Sequence, residues 1–112
     1  MNGQMLKNIE MEQVLSLPEM VGYQPGQVVS RTLAQNKAVS LTLFAFDKGE
    51  EISSHSSHGD AMITVFEGTA KITIGDGVYS VGAGETIVMP AGIPHAVEAQ
   101  ERFKMLLTVV FP

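Results

Sequence analysis

The sequence contains no cysteine and no tryptophan among its 112 residues. Without thiols, disulfide frameworks, thiolate nucleophiles and cysteine-ligated zinc sites are all excluded. Long apolar runs are missing too, since none approaches the ~18–20 residues that a membrane-spanning helix needs. Basic charge is sparse, with 7 Lys and Arg against 12 Asp and Glu and a formal net charge of −5. The cations stand singly, so the chain has no electrostatic footprint for nucleic acid or anionic lipid. Met1–Asn8 shows no basic patch followed by an apolar stretch. No secretory signal is read there, and a cytoplasmic protein is expected. The partners left are small molecules and other proteins. Helical periodicity is also lacking, because no amphipathic pattern extends over about twelve residues.

What is present is period-two alternation. Val28–Leu33 is short and β-branched, with a turn at Asn36-Lys37. Val39, Leu41, Leu43 and Ala45 then alternate with Ser40, Thr42, Phe44 and Phe46. This gives one wholly apolar strand face and a second face that turns apolar at its end. Ala61–Phe66, Thr69–Ile74, Val78–Val81, Thr86–Met89, Ala96–Glu98 and Phe103–Phe111 continue the series, separated by glycine turns. Asp76-Gly77 signals a tight hairpin. Eight to ten short strands at this spacing predict an all-β fold, an antiparallel sandwich or barrel of one domain. The expected division is a short N-terminal arm over residues 1–26, packed on the barrel or exchanged with a partner, and a β-barrel over 27–112.

The inward set is read as Leu41, Leu43, Ile63, Val65, Val88, Met105 and Leu107. Phe44, Phe46, Met62, Phe66, Leu106 and Val110 then point away from that core. Either the arm and a second sheet cover these residues, or a homodimer does.

All three histidines lie between Gly49 and His95, each cluster at the edge of a β-type segment. His55, His58 and His95 together make a candidate set of three nitrogen ligands for a divalent transition metal. Such an open site suits Fe, Mn, Ni, Zn or Cu. On a regular strand His55 and His58 face opposite ways. They converge only where the chain is bulged or looped, which Ser56, Ser57 and Gly59 allow. Asp60 is the nearest acid, read either as a ligand or base or as a solvated loop carboxylate. Met62, Met89 and Met105 sit at β spacing and are read as packing residues rather than soft ligands.

Two motifs carry a resemblance. Gly49, His55 and Gly68 match the first, and Gly84, Pro90, Gly92 and His95 match the second. On these residues the chain resembles a small single-domain cupin of the conserved-barrel group (cupin 2), over about Gln27–Phe111. The resemblance implies a double-stranded β-helix, a jelly-roll barrel, in a bacterial protein. It also implies a metal site at the barrel mouth. Departures accompany it: Ser57 stands where the second histidine of the first motif belongs, Ala61 replaces the glutamate ligand, and Ala99 replaces an asparagine. Two functions stay open. One is a metal-dependent enzyme, of dioxygenase or isomerase type, acting on a small polar substrate. The other is a non-catalytic sensor or binding module for a small ligand or metal.

Overall fold

The computed structural model describes residues 5–112; the first four residues of the expected arm lie outside that range. After a one-turn 3-10 helix at Leu17–Met20 come nine strands. They are β1 (Val28–Gln35), β2 (Val39–Phe46), β3 (Glu51–His55), β4 (Asp60–Glu67), β5 (Thr69–Ile74), β6 (Gly77–Gly82), β7 (Thr86–Met89), β8 (His95–Glu98) and β9 (Phe103–Val110). They form two antiparallel sheets, ordered β1-β2-β9-β4-β7 and β3-β8-β5-β6. Chain neighbours such as β3 and β4 are in different sheets, so the chain crosses repeatedly between layers and wraps one core.

The hairpin expected at Asp76-Gly77 forms one residue earlier. Ile74 pairs with Gly77, leaving Gly75-Asp76 as the two-residue loop, with Gly75 at φ +56°. A first loop residue in the left-handed region is what a two-residue turn between twisted strands requires.

The core between the sheets contains Phe46, Ile63, Val65, Ile72, Met89, Val97, Phe103 and Met105. Phe46 and Phe103 are fully buried and stack with ring centroids 4.5 Å apart. This reverses the expected facing of β2. Residues directly opposite on antiparallel strands share a face, and β9 turns Phe103 and Met105 inward. Their partners Phe46 and Phe44 follow them. Leu41 and Leu43, expected inside, lie on the outer face of the same strand. Leu43 and Ala45 are nonetheless buried there, beneath Ile9, Leu17, Met20, Val21 and Tyr23 of the N-terminal segment. β2 is apolar on both faces because both are covered, so its alternation carried no direction. Val88 is corrected as well: it points outward, 53% exposed, while Ile87 and Met89 face the core.

Polar contacts fasten the N-terminal segment. Lys104 Nζ donates to the Pro18 carbonyl at 2.7 Å, and Tyr23 Oη donates to Glu67 Oε2 at 2.6 Å. The Tyr23 ring also lies against the cations of Arg102 and Lys104. Burial, together with the adjacent Glu67 carboxylate, pushes the Tyr23 phenol well above its usual range. Beyond the covered part the outer face stays bare, with Met62 39% and Val110 57% exposed beside Val88.

Candidate functional site

The site is built where β3 ends and β8 begins. Ile52 pairs with Val97 and His55 with His95. Two residues, Ser53 and Ser54, therefore face the single residue Ala96 between those pairs. This is a β-bulge, and the extra residue restores the parity that turns His55 to the side of His95. Val97 and Ala99 belong to the core, and His95, two residues before Val97, shares their face.

The two imidazoles meet edge to face, with ring centroids 4.4 Å apart and planes inclined at 69°. Both are held in the same way. His55 Nδ1 lies 3.0 Å from the Ser53 carbonyl oxygen and His95 Nδ1 lies 3.3 Å from that of Ile93, each two residues back in the chain. A carbonyl can only accept, so Nδ1 carries a hydrogen in both rings, and in the neutral ring the lone pair is then on Nε2. These carbonyl partners were invisible in the sequence, because any residue type supplies the same oxygen.

His55 is exposed and His95 is buried, with 4% of its surface accessible. Burial holds the His95 pKa below its usual value, and the neighbouring His55 lowers it further, against the Ile93 carbonyl, which raises it. The unfolded chain therefore takes up a proton more readily than the native one. That gives a stability term present above the unfolded value of about 6.5 and lost as pH falls below it toward the native pKa. Urea midpoints measured at pH 7.5 and pH 5.5 should fall on acidification. The fall should be smaller in His95→Gln than in the native protein, and an equal fall in the two would remove this histidine from the account.

His58 does not join the pair. Its ring packs on Phe111 with centroids 5.1 Å apart. The turn that carries it is tied to the loop before β8, where Gly92 N donates to the Ser57 carbonyl at 2.8 Å and Ala91 N donates to Asp60 Oδ1 at 2.9 Å. Asp60, read as a ligand, a base or a loop acid, thus serves as an acceptor that anchors this loop. His58 lines two shallow grooves beside Phe111, and neither includes His55 or His95.

Among the described residues no three His, Cys, Asp or Glu side chains are grouped to hold a metal ion. Two imidazoles without a carboxylate do not match the three or more protein ligands of a resident divalent ion. The expected three-histidine set is therefore reduced, in this arrangement, to His55 and His95.

Comparison with known proteins places this geometry in context. A family model described as "Cupin domain" matches residues 42–111. The chain is 51% identical to a conserved protein of unknown function from Streptococcus pyogenes, over 99% of this chain and 98% of that one, with a TM-score of 0.96. It is 32% identical to a cupin superfamily protein from Desulfitobacterium hafniense, over 97% and 100% of the two chains, with a TM-score of 0.92. A cupin 2 conserved barrel domain protein from Leptotrichia buccalis shares 42% identity over 86% of this chain and 47% of its own length, with a TM-score of 0.84. No curated protein matches. The motif glycines, the two-sheet barrel and the domain match agree, and the chain belongs to the cupin-domain family.

Proposed function

We propose that the protein is a binding module for a small hydroxyl-bearing molecule, with His55 and His95 as the groups that contact it. The observation that supports this reading is the matched pair of imidazoles, each with Nδ1 committed to a backbone carbonyl and Nε2 left to accept. Two acceptors side by side suit a diol or a hydroxy acid, whose hydroxyls donate. Among the described residues no carboxylate is grouped with the pair to move a proton, and Asp60 accepts from Ala91 N in the neighbouring loop.

Calorimetric titration of the metal-free protein with small diols and hydroxy acids tests the proposal. Binding should weaken at least tenfold, about 1.4 kcal/mol, in His55→Ala, whose exposed position makes it tolerant of truncation. The enzyme reading needs His58 to leave Phe111 and complete a three-nitrogen site. Oxygen uptake or substrate turnover after Fe(II) loading, abolished in His58→Ala, would establish that reading instead.

A second copy of the chain is the protein partner we propose. Met62, Val88 and Val110 stand bare on the outer face of the larger sheet, next to the part covered by the N-terminal segment. Met62 pairs with Val88 across β4 and β7, so the two side chains share that face. Sedimentation equilibrium should report a dimer, and Met62→Lys should shift it toward monomer. A monomeric native protein would remove the partner.

A further inference from the structure

Three segments meet at Phe111: the β1–β2 turn, the turn that carries His58, and the chain just past β9. Backbone contacts fix each of them. Asn36 closes the β1–β2 turn, its Oδ1 accepting from Ala38 N at 2.8 Å and from Val39 N at 3.0 Å. Phe111 N donates to the Ala38 carbonyl at 3.0 Å, which holds that turn, and Lys37 with it, beside Phe111. On the other side Gly59 presses on the end of β9. A Cβ added there would stand 2.6 Å from the Val110 carbonyl oxygen and 3.0 Å from Phe111 Cδ1. That close approach, with Gly59 N donating to Ser57 Oγ at 3.1 Å, seats the His58 ring on Phe111.

Asn36, Lys37, His58 and Phe111 line one groove of about 320 Å³. Its polar groups are donors. Among the described residues the ion pairs engage Lys48, Lys71, Arg102 and Lys104, and Lys37 is in none of them. An imidazole keeps at least one N–H in every protonation state, so His58 can donate. Asn36 Oδ1 is taken by the turn, and its amide nitrogen is the group it offers. No carboxylate lines this groove, in a chain of net charge −5. The groove on the opposite side of His58 differs, because it includes Asp60 and Val110 of the bare outer face. We infer that the Lys37 groove binds a small aromatic carboxylate, with its ring on Phe111 and its carboxylate met by Lys37, His58 and Asn36. A carboxylate accepts charge-assisted hydrogen bonds at both oxygens, and an aromatic ring prefers an offset or edge contact with another.

Heteronuclear NMR titration of the full chain with benzoate tests this, with neutral benzamide and non-aromatic cyclohexanecarboxylate as controls. Benzoate should shift the amide signals of Lys37, Ala38, Gly59 and Phe111 saturably, and both controls should bind more weakly. Lys37→Gln should weaken benzoate about fivefold, the loss of one hydrogen bond to a charged group. Phe111→Leu should remove the preference for benzoate over cyclohexanecarboxylate. Added salt should weaken benzoate and leave benzamide unchanged. The site shares no residue with the imidazole pair, so the benzoate shifts should survive His55→Ala. Equal binding of benzoate and benzamide overturns the inference, as does the absence of saturable shifts at millimolar benzoate. Shifts confined to the surroundings of His55 and His95 overturn it too. Failure of diols to bind, with benzoate still bound at Lys37 and Phe111, removes the binding-module reading of the imidazole pair and leaves this site standing.

Discussion

Phe103→Ala should destabilise the protein by about 3–5 kcal/mol, as truncation of a fully buried aromatic does. The side chain is inaccessible to solvent and stacks on Phe46, with ring planes within 13°. Phe46 is the residue opposite it across β2 and β9, so the cavity would open at the seam of the larger sheet, against the facing layer. Domains of this size have total stabilities of about 5–15 kcal/mol, and the variant should lose a large fraction of that. Phe103→Leu, which keeps most of the volume, should cost far less. Urea denaturation of the three proteins measures the difference. Equal midpoints would mean that neither the stack nor the volume it fills contributes, the core collapsing around the loss. The His55–His95 pair lies at the far end of β8 from the start of β9, so the proposed His55-dependent binding should be retained in Phe103→Leu.

The fold was legible because its signals were local. Alternation gave the strands, and glycines at Gly49, Gly68, Gly75 and Gly84 marked turns that the backbone makes at positive φ. Facing was legible only where a strand had one polar side. β4 alternates Ile63 and Val65 with Met62 and Thr64, and its inward set stood as expected. β2 is apolar on both sides because the N-terminal segment covers the outer one, and sequence alone could not orient it. At the site, His55 and His95 were identified from motif positions. Their meeting depends on an unpaired residue at Ser53-Ser54, which has no sequence signature of its own. His58 is held apart by bonds from Gly92 N and Ala91 N to Ser57 and Asp60, contacts between segments about thirty residues apart that no local pattern announces.

Gly68→Ala should be the most damaging glycine substitution in the two motifs, because two costs coincide there. The residue sits at φ +74°, where an L side chain costs roughly 1–2 kcal/mol. An added Cβ would also run into the Arg102 carbonyl oxygen and come within 2.8 Å of Phe103 Cβ. Neither neighbour is the free end of a flexible side chain, so β9 itself must shift, which adds about 1–3 kcal/mol. Gly49 and Gly84 separate the two costs. Their φ values are +87° and +84°, and nothing stands within 4 Å of an added Cβ at either. Gly49→Ala and Gly84→Ala should therefore lose only the backbone term, and Gly68→Ala should lose more than either. Thermal or urea unfolding of the three variants settles the ordering. Equal losses would show that β9 yields without cost. The expected ordering gives the motif glycine at Gly68 a steric reason: it lets the β4–β5 turn press against the backbone that carries Phe103, which sets the register of the strand at the centre of the larger sheet.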